Sequence, residues 1–229
     1  MRPQVFTTTA LTNDANGIFE DQTTAGAATL TLNGALVESG VAYCYGLTGT
    51  NAQGQLIAIE GTGNNSGITA TITGTLGGAT VTETVTLANN GTATSTYYFN
   101  TVSSITVSGA VTGNIEGGWL SSSTNPAVIL AVKTDRIQNP FNASIGVTLS
   151  SGASMTYTVQ HTFDLPADNY GVIGWDNSAT WFDTDGLAAK TANDNGNYAF
   201  PVMGSRLEIN SYTSGTAKYT YTQAYGNSA

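Results

Sequence analysis

The chain has 229 residues, of which 40% are hydrophobic and only 9% are charged. Its formal net charge is −9, from fifteen acidic and six basic side chains, and Lys and Arg do not cluster anywhere along it. Proteins that bind phosphate backbones need such clusters, so we expect no nucleic-acid partner. The sequence has no apolar run of about 18 residues, and we therefore expect no membrane partner.

The low charge is unusual for a free enzyme and suits a protein whose surface is buried against neighbours, where unpaired charges cost desolvation energy. Cys44 is the only cysteine, so no disulfide forms within the chain. It stands between Tyr43 and Tyr45, and we predict that it is a small buried apolar residue.

Alternation of apolar and polar residues predicts β-strands along most of the chain. It is clearest in residues 28–32, 56–59, 68–72 and 81–87, where Thr supplies many of the polar positions. Gly77-Gly78 and Asn195-Gly196 are among the pairs that tolerate positive φ and favour tight hairpins. Short strands at regular intervals predict an all-β fold, a sandwich or a barrel.

A repeated order of elements predicts two β units. The stretch Tyr98–Val107, followed by Gly113, has a counterpart in Tyr198–Ile209, followed by Gly215. The Gly- and Ser-rich segment near residue 120 is the clearest linker. We therefore predict two tandem β-sandwich domains, jelly-roll or immunoglobulin-like. The predicted parts are an N-terminal arm at 1–16 that orders on a neighbouring subunit, a first domain at 17–118, a linker at 119–126 and a second domain at 127–229.

The second predicted domain contains a long excursion at 165–197. It carries Trp175, Trp181 and Phe182 in otherwise polar sequence. Large aromatic side chains are common anchors of protein interfaces, so we predict that these three residues contact a partner subunit. Packing in the domain core and stacking on a sugar ring are the alternatives.

The residues capable of catalysis are few. His161 is the only histidine, and we predict that it is a hydrogen-bonded structural residue of a strand. We interpret the nearby aspartates as solvated loop acids, with a glycosidase pair or calcium ligands as alternatives. Asp183-Thr184-Asp185-Gly186 resembles the start of a calcium loop but lacks its downstream ligands. We expect no enzyme activity, cofactor or metal. The aspartates are Asp164, Asp168, Asp176, Asp183 and Asp185.

Two sets of segments resemble known families. Residues 65–75, 81–85 and 99–107 resemble a segment that recurs in small virion-associated proteins of tailed bacteriophages. Residues 157–164, 180–182, 194–202 and 206–209 are similar to another structural family of phage particles. The resemblance covers about two thirds of the chain and implies a virion component, with no catalytic role to carry over.

These observations lead to one principal hypothesis and two alternatives. We expect a capsid decoration or cement protein that is assembled in the host cytoplasm and bridges coat subunits on the outside of the head. Its expected partners are the major capsid protein, or other virion proteins, and copies of itself in a symmetric oligomer, with a trimer favoured. A tail or head-fibre module that binds a host glycan is the second hypothesis, and a depolymerase is the third.

Overall fold

The computed structural model describes residues 4–8, 14–44, 53–119, 127–135, 140–165 and 175–223. Within these ranges the chain forms strands joined by turns and one four-residue helix, α1 (Trp175–Ser178). The predicted all-β fold is therefore confirmed. Most of the predicted linker, residues 120–126, lies outside the described ranges. No helix in the described residues is long and apolar enough to cross a membrane.

The described residues contain eighteen strands. In order they are β1 (Gln4–Thr8), β2 (Asp14–Gln22), β3 (Ala28–Thr29), β4 (Val37–Glu38), β5 (Val41–Tyr43), β6 (Gln53–Asn64), β7 (Thr69–Leu76), β8 (Ala79–Thr86), β9 (Asn89–Phe99), β10 (Thr101–Val107), β11 (Ile115–Trp119), β12 (Ala127–Lys133), β13 (Ala143–Leu149), β14 (Ser154–Thr162), β15 (Phe182–Asp183), β16 (Asp194–Tyr198), β17 (Gly204–Ser214) and β18 (Ala217–Gln223).

The described strands form three sheets, and all their pairings are antiparallel. A six-stranded sheet has the order β4-β5-β10-β7-β8, with β3 also on β10, and a four-stranded sheet has the order β1-β18-β13-β16. The largest sheet, of eight strands, has the order β15-β14-β17-β12-β6-β11-β2, with β9 also on β6. It joins the two halves of the chain, because β12 pairs with β6 on one side and β17 on the other.

Two apolar clusters fill the space between the sheets. The first core contains Ile57 of β6 and Ile72 of β7, and the second contains Tyr157 of β14 and Tyr219 of β18. Strand β12 contributes to both: Val128 packs in the first core and its neighbour Ile129 in the second. Because successive side chains of a strand point to opposite faces, the two cores lie on opposite faces of the large sheet at β12.

The local sequence explains the hairpin from β7 to β8. Gly77 and Gly78 have φ values of 59° and 81°, so the predicted turn is confirmed. Thr side chains cover the outer face of the pair, where the hydroxyls of Thr71 and Thr84 lie 3.0 Å apart across the strands. Gly74 also has to be glycine, because a Cβ there would collide with the carbonyl oxygen of Thr101.

Some local predictions differ from the structure. The predicted turn at Asn195-Gly196 is wrong: both residues lie inside β16, paired with Gly146 and Ile145 of β13. A side chain on Gly196 would press on Leu187, whose Cδ1 lies 2.9 Å from the Cβ position, so close packing explains this glycine. Cys44 is fully buried as predicted, and burial raises the pKa of its thiol far above the usual range.

The predicted segment boundaries fall on structured residues. Residues 4–8 of the predicted arm pair with β18 of the same chain, and residues 14–16 begin β2. Trp119, the first residue of the predicted linker, ends β11 and is buried in the first core. The predicted excursion contains α1, β15 and most of β16. Its buried residues, such as Leu187, belong to the second core. Division into two tandem domains stays a prediction.

Candidate functional site: an exposed phenylalanine patch

Three half-exposed phenylalanines lie together at the end of β14. Phe163, Phe182 and Phe200 are 49%, 47% and 46% exposed, and they make up most of the large apolar side chains that the described residues expose to this degree. Isolated apolar residues on a surface are ordinary, but a cluster of large ones is characteristic of a binding surface. We call these three residues the phenylalanine patch.

Strand pairing brings the patch together from three parts of the chain. Phe163 directly follows β14, and Phe182 of β15 pairs with His161 of β14. Phe200 lies two residues beyond the end of β16. Along β14, His161 follows Tyr157 and Val159 of the second core at every second position, so its side chain lies on the same face of the strand. The patch therefore continues that core to the surface.

The rings of the patch surround His161. Its imidazole centre lies 5.3 Å from the Phe163 ring and 5.8 Å from the Phe200 ring, both edge to face, and 6.0 Å from the Phe182 ring. Phe163 also lies 5.9 Å from Phe182 and 6.1 Å from Phe200. These are the separations at which aromatic pairs attract one another, so the rings hold each other in place.

A chain of buried hydroxyls fixes the proton position on His161. The Ser205 hydroxyl donates to the carbonyl of Gln160 at 3.2 Å and accepts from Tyr219 at 2.7 Å. With its only proton used, Ser205 also accepts from Tyr198, 3.0 Å away, and Tyr198 therefore accepts from Thr184 at 2.7 Å.

The last link of this chain reaches the imidazole. Because the proton of Thr184 is already used, its oxygen accepts from the N–H at Nδ1 of His161, 3.2 Å away. The neutral ring then carries its acceptor lone pair on Nε2. Burial lowers the pKa of His161, against the opposing charge of Asp183, and favours this neutral form. The prediction that His161 is a hydrogen-bonded residue of a strand is confirmed.

Three exposed acids follow the patch phenylalanines in sequence. Asp164 follows Phe163, Asp183 follows Phe182, and Asp185 lies two residues further on, and all three are exposed. Among the described cations, Arg206 is buried and Lys190 pairs with Asp194 at 2.8 Å. The other two, Lys133 and Lys218, lie on β12 and β18, which contribute no ring to the patch. Asp183 accepts a hydrogen bond from the Gln160 side chain at 3.1 Å, and its carboxylate therefore lies on the face of the sheet opposite the rings.

On the opposite face of β14 and β17, Arg206 holds the excursion to the sheet. The residue is 5% exposed, and its guanidinium carbon lies 4.2 Å from the centre of the Trp181 ring and 5.5 Å from that of Tyr98. It donates to the side-chain oxygen of Gln160 and to the carbonyl of Asp176, both at 2.9 Å. The guanidinium therefore both stacks on aromatic rings and donates hydrogen bonds from its N–H groups.

The helix α1 completes this contact between the halves. Asn177 bonds both backbone groups of Tyr98 in β9, at 2.9 and 3.0 Å. Asp176 accepts from the N–H of Ala131 at 3.3 Å and lies 3.7 Å from Arg206. Burial raises the pKa of Asp176, although the charge of Arg206 acts in the opposite direction. The interpretation of Asp176 as a solvated loop acid is therefore wrong.

The predicted anchor residues are found in different environments. Phe182 belongs to the patch, whereas Trp181 is partly buried, stacks on Arg206 and donates from Nε1 to the carbonyl of Asp176 at 2.7 Å. The Trp175 side chain and the whole of Asp168 lie outside the described residues. That the three aromatics contact a partner stays a prediction.

Sequence reasoning missed Phe163, Phe200 and the role of Arg206. Both phenylalanines lie in the segments that carry the phage resemblance, and each comes just after a strand, in a position where a polar residue is usual. This contrast is the sequence signal from which both phenylalanines could be predicted.

Within the described residues, no group of three or more His, Cys, Asp or Glu side chains is placed to hold a metal ion. Comparison with known proteins adds no identification: no protein-family model matches the sequence, and the search of curated proteins finds no match either.

Proposed function

We propose that this protein is a structural component of a tailed-phage particle, a capsid decoration protein that binds coat subunits on the outside of the head. The proposal combines the resemblance of its segments to virion proteins with a β-rich, weakly charged chain that exposes an aromatic patch. It includes no enzymatic activity and no cofactor.

The phenylalanine patch is the observation that carries this proposal. Three large apolar side chains held rigid by their neighbours lose little conformational entropy on binding, and their burial favours association. Two of them, Phe163 and Phe200, lie outside the predicted excursion, and Phe182 lies within it. The proposed contact surface is thus the end of the second core rather than the excursion alone.

We propose further that the two cores belong to two tandem sandwich domains that share the large sheet. Each core lies between that sheet and one of the smaller sheets, which supports this division. Homo-oligomers of closed symmetry are common, and a trimer suits a protein on a local threefold axis of the capsid. Sedimentation equilibrium of the purified protein measures this oligomeric state.

Quantitative mass spectrometry of purified particles tests the function. A decoration protein is expected in hundreds of copies per particle, in a fixed ratio to the coat protein. A dozen copies or fewer indicates a place in the tail, and absence from the particle contradicts the proposal.

Binding of a host glycan is the second candidate function. The observation in its favour is the combination of exposed aromatic rings with exposed carboxylates, since sugars stack on rings and hydrogen-bond to acids. Variants of the patch that enter particles normally but no longer adsorb to host cells would support this function over decoration.

A further inference from the structure

Strand β1 is an uncharged edge of the four-stranded sheet. It pairs with β18 on one side, and no other described strand pairs with it. Residues 4–8 include no Asp, Glu, Lys or Arg. An edge strand presents backbone N–H and C=O groups that can pair with another chain, and proteins commonly prevent such pairing with charged side chains on the strand.

The other long edge strands carry this protection. The described edges of more than two residues, besides β1, are β2, β8, β9 and β16. Acidic residues lie on three of them, such as Glu20 on β2, Glu83 on β8 and Asp194 on β16. Strand β9 is uncharged, but the Glu83 carboxylate accepts from the N–H groups of Thr96 and Tyr97, both at 2.8 Å. Among these described edges, β1 alone has neither an acid of its own nor a carboxylate on its backbone.

The hydrogen bonds of β18 define which of its residues face β1. The N–H of Ser150 donates to the carbonyl of Thr216, so the backbone groups of Thr216 point toward β13. Successive residues of an antiparallel strand direct their backbone groups to opposite sides. The groups of Ala217, Tyr219 and Tyr221 therefore point toward β1.

The outward groups of β1 follow from this pattern. Gln4, Phe6 and Thr8 lie opposite the three inward-facing residues of β18 and pair with them without a register shift. The backbone groups of Val5 and Thr7 are left facing the free edge. The Val5 side chain is 50% exposed, and Thr7 lies on the same face of the strand. An apolar side chain thus lies beside outward-facing backbone groups.

A second copy of β1 is complementary to this edge. When two β1 strands pair antiparallel with Phe6 at the centre, Val5 of each chain lies opposite Thr7 of the other, and their outward N–H and C=O groups bond. The two exposed Val5 side chains become diagonal neighbours on one face and cover each other. A patch that pairs with its own copy in this way forms a closed twofold contact.

The charges of the sheet favour association at this edge over the others. Its described strands contain only two charged residues, Lys218 on β18 and Asp194 at the far edge on β16, where Asp194 pairs with Lys190. The acids responsible for the net charge of −9 lie mainly elsewhere. Two copies that paired through β2 or β8 would bring their carboxylates together, and like charges oppose binding. Pairing through β1 avoids this repulsion.

We propose that β1 is a self-association edge, at which two copies of the chain pair their β1 strands antiparallel about Phe6 and join their four-stranded sheets into one continuous sheet. The contact does not involve the phenylalanine patch and goes beyond the proposed function. A strand edge accepts one partner, so the contact is additional to the trimer proposed above.

Cysteine variants test the register of the pairing. A mixture of Val5→Cys and Thr7→Cys is expected to form disulfide-linked dimers on oxidation, because directly opposite residues have Cα atoms about 5.5 Å apart, within disulfide range. Each variant alone should cross-link much less, since identical positions are diagonal neighbours about 7 to 8 Å apart. Wild type, whose only cysteine is the buried Cys44, is the control on a non-reducing gel. Equal cross-linking in the mixture and in the single variants would overturn the proposed pairing.

Two further variants test the contact without cysteines. Sedimentation velocity of the wild type at about 10 to 500 µM is expected to show concentration-dependent self-association, as for a small interface. Val5→Lys places like charges diagonally across the contact, and Thr7→Pro removes an outward N–H while leaving the pairing with β18 in place. Each should weaken self-association about tenfold or more.

Thr82→Lys, at an exposed position of β8, is the matched control. It changes the net charge exactly as Val5→Lys does, so general repulsion cannot explain a difference between the two. Circular dichroism checks that the variants are folded. A wild type that does not self-associate over this range would overturn the proposal, as would self-association that Val5→Lys and Thr7→Pro leave unchanged.

This proposal and the proposed function fail in different experiments. If the protein is abundant in particles but does not pair through β1, then β1 is not a self-association edge and the proposed function stands. If the chains pair through β1 but the protein is absent from particles, the proposed function is wrong.

Discussion

The guanidinium carbon of Arg206 lies 4.2 Å from the centre of the Trp181 ring. This contact connects β17 to the excursion, and Tyr98 of β9 lies on the same guanidinium at 5.5 Å. A single buried cation thus touches both halves of the chain and the segment predicted to be a loop.

We predict that Arg206→Met destabilises the protein by about 3 kcal/mol or more, because it leaves the buried carboxylate of Asp176 without its cation. Adding Asp176→Asn is expected to recover at least about 1 kcal/mol, since no buried charge then remains. Urea denaturation measures both free energies of unfolding. Lys218→Met, at an exposed cation on β18, is the control. A double variant as unstable as the sum of the two single variants would show that the pair is not coupled.

His161 gives the stability a dependence on pH. Burial lowers its pKa, so the unfolded chain binds the proton more tightly than the folded protein does. The stabilisation is complete above the usual histidine pKa of about 6.5 and is lost as the pH falls from there toward the lowered value.

We therefore predict that His161→Gln loses less stability than the wild type when the pH changes from about 7.5 to about 5. Carboxylates that titrate equally in the two proteins contribute equally to both losses, so their contribution cancels in the comparison. Equal losses of unfolding free energy in the two proteins would mean that the folded state does not disfavour the histidinium.

The contribution of Glu116 to stability changes with pH in the opposite direction. Burial raises its pKa, and the charges of Asp21, Glu60 and Asp14 act in the same direction; Glu60 lies directly opposite it across β6 and β11. A raised carboxyl pKa means that the folded protein binds the proton more tightly, so the repulsion is present at neutral pH and is relieved as the pH falls through the raised value.

We predict that Glu116→Gln raises the free energy of unfolding at pH 7 by a few tenths of a kcal/mol, because the residue is only partly buried and solvent screens the repulsion. The gain should shrink near pH 4, where the glutamate itself is protonated. Glu38→Gln, at an exposed acid on β4, should have no comparable effect. A gain that does not change with pH would contradict the electrostatic explanation.

The proposed division into two domains predicts local effects of core variants. Ile72 is fully buried in the first core, so Ile72→Ala should lower stability there by about 2 to 5 kcal/mol. Hydrogen exchange of the variant should accelerate in β7, β8 and β10 and stay close to wild type in β13 and β18. An equal acceleration in both groups of strands would show that the two cores unfold as one unit.

The parts of the fold that depend on local sequence were predictable. Thr alternation predicted strand β8 within a residue or two, and Gly77-Gly78 predicted the turn before it. Partner choice between strands depends on contacts distant in sequence, and for this reason neither the pairing of β12 with β6 nor that of β1 with β18 was predicted.

The candidate site shows the same limit. The excursion was identified because aromatic residues stand out in polar sequence, and Phe182 was named on that basis. Arg206 has no local signal, because its role comes from Trp181 and Tyr98, which only the folded chain brings to it. The patch likewise requires three segments to meet at the end of β14.

Occupancy of the protein on purified phage particles tests the central claim most directly. Under subsaturating conditions, Phe163→Ala and Phe182→Ala should each lower occupancy about 30-fold or more if each costs about 2 kcal/mol of binding, while Tyr97→Ala matches wild type. Circular dichroism and urea denaturation confirm that the variants are folded. Folded patch variants that decorate particles at wild-type occupancy would contradict the claim that the phenylalanine patch attaches this protein to the particle.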